Sequence, residues 1–149
     1  MNAPFPHRYR VELDRAGAID ARLSLPGRPS IATAAPPEFD GLPDVWGPEH
    51  LLLGAIAACY HATLTAIARA AHVPLLDLHE EVEGTLDKTK DGPRFTSIVL
   101  RVRAGFGAAD VARGAALLEK AKRACIVSGS LNVPVALEAD VRIPGSAAA

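Results

Sequence analysis

The chain has 149 residues, 49% hydrophobic and 22% charged, with 16 basic and 17 acidic side chains and a net charge of −1. That is enough chain for one domain with a buried core, and so even a charge balance gives no electrostatic basis for a nucleic-acid partner or an anionic membrane surface. The two cysteines, Cys59 and Cys125, form no C-x-x-C or zinc-ligand pattern, and the N-terminal MNAPFPHRYR lacks the apolar core of a signal peptide; the expected compartment is the cytoplasm, where structural disulfides are uncommon.

Tyr9, Val11 and Leu13 alternate with Arg8, Arg10 and Glu12, the pattern of a half-buried strand. After the turn DRAGA, Ile19, Ala21, Leu23 and Leu25 repeat it. Six prolines between Pro26 and Pro48 then deny the chain ladder donors, so this stretch is predicted to be a long ordered loop with one edge strand. Pro48 suits the first turn of a helix, and Glu49 suits its positive end. The helix should run to Ala71, where HVPLL ends it, a length of roughly 36 Å.

No polar side chain occurs from Leu51 to Cys59, so this helix is expected to be buried all round. Leu51 to Ala68 is about the minimum length of a membrane span, but His61, Thr63 and Thr65 interrupt it and Arg69 follows, which favours a core helix. Gly54, Ala55, Ala57, Ala58 and Ala62 would let another backbone come close. One chain of this size has few layers with which to surround such a helix; a second copy would complete the wrapping, which predicts a homodimer with these helices near its axis.

LHEEVEGTL and RFTSIVLRVRA read as two strands around an Asp91-Gly92 turn. Thr96, Ile98, Leu100, Val102 and Ala104 fall on one face of the second, Arg101 and Arg103 on the other. Asp110 is the candidate N-cap of a second helix, whose stripe of Val111, Ala115, Leu118 and Ala121 continues to Cys125. VPVALEADVRI is a final strand, and PGSAAA a frayed tail. The whole is an α+β chain, one domain over 1–149 with an ordered core near 8–143.

Cysteine in an apolar helix is ordinarily packing; the sharper alternative is chemistry. Cys59 lies too far from either helix end to gain from the dipole, and apolar burial raises a thiol's pKa, so a nucleophile there would need a cation brought from elsewhere. His61 faces the opposite side of the helix from Cys59. Glu49 is about 15 Å from Cys59 along the helix axis, so it could serve that thiol only from a partner chain or through an arginine. The five histidines are scattered without ligand spacing, which gives no metal site. Phe39, Trp46, Tyr60 and Phe106 are candidates either for a pocket lining or for core packing.

PPEFDG, WGPEHLLLGAIAACY, EVEGTL, RFTSIVLRVR and LLEKAKRACIVSGSL, in that order, resemble the OsmC/Ohr superfamily of organic hydroperoxide reductases. The likeness runs from Tyr9 to Ile143, and its most specific parts are Pro48–Tyr60 and Lys120–Leu131. It implies an α+β swapped homodimer, with two antiparallel sheets wrapped around two long central helices, and a thiol peroxidase without metal, haem or other cofactor. In that mechanism Cys59 attacks the peroxide and becomes a sulfenic acid, Cys125 condenses with it to a disulfide, and a small dithiol of lipoyl type reduces the disulfide. The substrate it implies is an alkyl or fatty-acid hydroperoxide. The family's glutamate maps onto Glu49. Its arginine falls among Arg8, Arg10, Arg15 and Arg22, with Arg15 favoured because a turn can project a long side chain. Gly47 stands where the family usually has asparagine, and Ile126 where many members have proline. The rival reading is a non-catalytic protein of the same fold that binds an apolar ligand in the dimer cleft.

Overall fold

The structure, a computed structural model, describes residues 4–145; the tail read from PGSAAA lies outside the described residues beyond Gly145. The chain divides into two compact units, Met1–Leu51 and Leu52–Ala149.

The first unit is an antiparallel three-stranded sheet in the order β1 (Glu12–Arg15), β2 (Asp20–Ser24), β3 (Ile31–Ala34). Glu12 pairs with Ser24 and Asp20 with Ala34. The first strand begins later than its alternation predicts: Tyr9 and Val11 stay outside it, and all four of its residues are exposed. Repeated proline shapes the rest as expected. β3 is its one strand among the described residues, the loop beyond turns through Pro37–Phe39, and Trp46 returns to make a single parallel bridge with Thr33. Thr33 Oγ1 donates to the Trp46 carbonyl at 2.6 Å, tying the end of the loop back to β3.

Helix α1 (Pro48–Ala70) starts at the predicted proline and runs into the second unit. There it meets β4 (Asp77–Thr89), β5 (Gly92–Gly105), α2 (Val111–Ala124), the single turn α3 (Ile126–Gly129) and β6 (Val135–Arg142). The sheet order is β4-β5-β6. β4 and β5 form an antiparallel hairpin, but β6 lies parallel to β5, with Leu100 opposite Leu137. The expectation of two antiparallel sheets is therefore corrected to one antiparallel and one mixed. The reason is the connection: a crossover through α2 and α3 returns the chain in the direction in which it left, as parallel pairing requires.

The predicted apolar face of β5 is the core of this unit. Ile98, Leu100, Val102 and Ala104 are buried, and the last three cluster with Tyr60 and Leu64 of α1 and with Leu118, Ala121 and Cys125 from the second helical stretch. On the opposite face, Arg101 pairs with Glu81, Glu83 and Glu138 at 2.9, 2.6 and 3.0 Å, across the strand register. Asp110 takes the N-cap position of α2 but makes no side-chain cap; its carboxylate instead pairs with Arg113 at 2.8 Å.

As the shortage of layers in one chain predicts, a single copy does not surround α1. Within one chain only Ile56, Tyr60, Leu64 and Ala68 are buried, a stripe at i, i+4 spacing. Gly54, Ala55, Ala58, Ala62, Thr65 and Ala66 stand exposed. By length and composition alone α1 could cross a membrane. One sheet can cover only one side of a helix, so a sequence apolar on every side leaves the far side uncovered.

Candidate functional site

Cys59 is the half-buried residue at the edge of the buried stripe of α1, and Cys125 ends α2, 2% exposed in the core. The fold brings them together. The Val127 N–H donates to Cys59 Sγ at 3.5 Å. Cys59 packs against the buried cluster that contains Cys125. Burial pushes the Cys59 thiol up, but Val127, Cys125, Ile126 and Thr63 together outweigh it, and the net pKa lies below the ordinary thiol value. The sequence reading expected burial to dominate and a cation to be needed. It missed the donors of the turn after Cys125, because a backbone N–H leaves no mark in a sequence.

That turn is fastened by its own side chains. Ser128 Oγ donates to the Cys125 carbonyl at 3.3 Å, and Ser130 Oγ to the Ile126 carbonyl at 2.8 Å. The Gly129 N–H closes the turn on the Cys125 carbonyl at 3.0 Å. The two serines of CIVSGSL thus hold the segment whose amides face the sulfur. On the α1 side, Thr63 Oγ1 donates to the Cys59 carbonyl at 2.8 Å.

Tyr60, beside Cys59 in sequence, points into the core and donates its hydroxyl to the Leu118 carbonyl at 3.2 Å. Burial first, then the nearby Glu80 and Glu119 carboxylates, push its pKa up, so the phenol remains a donor and pins α1 to α2. Tyr60 and Phe106 are both core, whereas Phe39 and Trp46 are exposed.

His61 turns away from the sulfur, as its helical position predicts. Its Nδ1 lies 3.6 Å from Glu80 Oε1. Glu80 is a residue the sequence reading passed over, although the alternation Leu78, Glu80, Val82 puts it on the inward face of β4. Burial raises its pKa and His61 partly restores it. A shallow hollow of about 300 Å³ on the outer face of this sheet is lined by His79, Glu81, Arg101, Arg103, Glu138 and Asp140; it is a solvated grid of charge on the side away from the cysteines.

The remaining site candidates belong to the first unit. Arg15 folds over its own hairpin turn, its Nε donating to the Gly17 carbonyl at 2.7 Å and its Nη2 to that of Ala18 at 3.3 Å. Arg22 donates to Ser30 Oγ at 3.0 Å, Arg10 pairs with Glu12 at 2.8 Å, and Arg8 is exposed. Glu49 stands in the first turn of α1, and its buried Oε2 has no hydrogen-bond partner among the described residues. A Cβ on Gly47 would approach that oxygen to 3.1 Å, so glycine leaves room for the carboxylate. An apolar hollow of about 520 Å³ is lined by Leu13, Ile19, Leu23, Ala34 and Leu51, and by Arg15.

Comparison with known proteins follows the same lines. Residues 41–139 match the family described as OsmC-like protein. The uncharacterized protein YmaD of Bacillus subtilis is 34% identical over 116 residues, 74% of this chain and 77% of that protein. Among solved structures, an OsmC-like protein of unknown function from Vibrio cholerae superposes with a TM-score of 0.77 at 16% identity, over 89% of this chain and 99% of its own. An organic hydroperoxide resistance protein OsmC from Legionella pneumophila gives 0.72 at 21% identity, over 93% and 100%.

Proposed function

Because this chain belongs to the OsmC-like family, we propose that it is a thiol-dependent peroxidase that reduces organic hydroperoxides to alcohols. One observation carries the reading. Cys59 of α1 packs against the cluster that holds Cys125, its sulfur accepts the Val127 N–H two residues beyond Cys125 at 3.5 Å, and its pKa is held below the ordinary thiol value. A thiol so placed is the attacking one and its neighbour the resolving one.

The Cys59 thiolate attacks the distal oxygen of R–O–OH. The O–O bond breaks, the sulfur becomes a sulfenic acid, and the departing alkoxide takes a proton and leaves as the alcohol. The Cys125 thiol then attacks the sulfenic sulfur, forming the Cys59–Cys125 disulfide and releasing water. A small dithiol gives its two electrons and two protons to that disulfide and restores both thiols. Every species lies on the reversible part of the cysteine oxidation ladder.

Glu49 and Arg15 enter the proposal in the roles the resemblance gives them, a carboxylate and a guanidinium serving the reactive sulfur. The buried Glu49 oxygen without a partner and the apolar hollow that includes Arg15 support those roles. An alkyl or fatty-acid hydroperoxide is the substrate that the resemblance implies. The uncovered small-residue side of α1 supports a swapped homodimer, the second copy covering what one sheet leaves open.

Steady-state consumption of dihydrolipoamide driven by cumene hydroperoxide tests the proposal. Turnover should appear, and at equal concentration it should exceed that with hydrogen peroxide by about tenfold or more, the discrimination an apolar pocket can supply. No peroxide-dependent consumption, together with retention of a fatty acid by the intact protein, would instead identify a binding protein.

A further inference from the structure

Cys59 and Tyr60 are consecutive residues of α1, yet they serve different partners. Cys59 Sγ accepts the Val127 N–H at 3.5 Å, whereas the fully buried Tyr60 carries its hydroxyl across the core to the Leu118 carbonyl at 3.2 Å. Neither end of that second bond needs it for the fold. The Leu118 carbonyl lies inside α2, where the N–H four residues on is its helical partner. A phenylalanine ring would fill the place of Tyr60 and leave no polar group stranded, while burying a hydroxyl costs free energy unless it is bonded. The hydroxyl is therefore a group that core packing alone does not require.

What the bond adds is position along the helix axis. α2 turns Gly114, Leu118, Ala121 and Cys125 into the core, all of them buried, with the ring of Phe106 against Gly114. Apolar contacts are non-directional, so they hold α2 against the core more firmly than they fix its height; a hydrogen bond is directional and fixes it. Cys125 stands seven residues beyond Leu118, about 10.5 Å along the axis and on the same face. Whatever holds Leu118 therefore holds Cys125. A disulfide tolerates little error, since its Cβ atoms must come within about 3.5–4.5 Å and its sulfurs to about 2.05 Å. We propose that Tyr60 is the positioning residue for closure of the disulfide: its bond to the Leu118 carbonyl holds α2 at the height along α1 at which Cys125 meets Cys59. As the S–S bond forms and the S–O bond of the sulfenic acid breaks, the Cys125 proton leaves with the hydroxide as water; Tyr60 exchanges no proton and acts only by raising the effective concentration of one thiol at the other. The inference rests on the Cys59–Cys125 disulfide of the proposed reaction.

The test is the equilibrium between the dithiol and disulfide forms of the whole protein in glutathione buffers, read by peptide mapping of the Cys59–Cys125 cross-link. Glutathione disulfide takes the two electrons and leaves as two thiols, so no peroxide enters the assay. Tyr60→Phe should lower the equilibrium constant for closure by about three- to tenfold, the effect of one lost hydrogen bond. Alkylation of Cys59 by iodoacetamide should stay within about twofold of the parent, because the attacking thiol itself is undisturbed. Should the phenylalanine variant melt early, 4-fluorophenylalanine at position 60 fills the volume of the hydroxyl without a donor and should show the same loss. 4-Aminophenylalanine, which keeps a donor there, should restore the parent value. A closure constant for the phenylalanine or fluoro form equal to the parent's overturns the proposal, as does a loss that the amino form shares. An alkylation rate that falls as far as the closure constant also overturns it, since the hydroxyl would then act on Cys59 and not on the approach of Cys125. A parent that closes its disulfide in glutathione, with the loss on Tyr60→Phe, but consumes no peroxide would sink the reductase reading and leave the role of Tyr60 standing.

Discussion

Cys59→Ser abolishes hydroperoxide-driven dithiol consumption, lowering the rate by about a thousandfold or more. A serine hydroxyl at this position has no base to activate it, and the amides that favour a thiolate cannot bring an alcohol near ionisation at neutral pH. The exchange is otherwise gentle. Cys59 is half-buried at the edge of the core, and a hydroxyl can accept the Val127 N–H that the sulfur now accepts. Urea unfolding should therefore place the variant within about 1 kcal/mol of the parent. Initial rates with cumene hydroperoxide and dihydrolipoamide, taken with that unfolding curve, separate lost chemistry from lost structure. Retention of even a tenth of the parent rate would mean that the attacking group is elsewhere.

Cys125→Ser stops turnover after a single oxidation. The attacking thiol is still present, so about one equivalent of hydroperoxide per subunit should be consumed. The product is then a sulfenic acid with no thiol beside it, because Cys125 is the thiol in contact with Cys59. Dimedone should label the Cys59 peptide, and steady-state consumption should fall by about a hundredfold. Excess peroxide should carry the trapped sulfur on to the sulfinic acid, which a dithiol does not reverse. Sustained turnover at the parent rate would show that the external dithiol reduces the sulfenic acid directly and that Cys125 is packing.

The parts of this chain that were legible are those where a local rule acts without competition. Pro48 opened α1, and the segment around Pro74 closed it within one residue of the expected end. The alternation from Ile98 to Ala104 identified the buried face of β5. Other features depend on information that alternation does not hold. A period of two assigns faces but not strand direction, so the parallel pairing of β6 could come only from its crossover. Tyr9 and Val11 have the pattern of a strand but pair with no strand among the described residues. In α1 the apolar content was plain, and so was the shortage of layers in one chain, which buries only Ile56, Tyr60, Leu64 and Ala68.

Within the candidate site, the two thiols were legible as residue types and their roles came from the resemblance. The sign of the Cys59 shift was not legible. Arguing from side chains alone made burial decisive, whereas the Val127 amide, with Cys125, Ile126 and Thr63, outweighs it. Ser128 and Ser130 were the available signal, two hydroxyls spaced to fold the segment after Cys125 onto itself. Glu80 gave a similar signal as a carboxylate in an apolar register, and it has His61 as its partner.

The most decisive experiment is peptide mapping of the unsubstituted protein after exposure to one equivalent of an organic hydroperoxide, with free thiols alkylated before digestion. The prediction is a single new cross-link, Cys59 to Cys125, that a dithiol reverses. Peroxide consumed while both cysteines remain fully alkylated would contradict it.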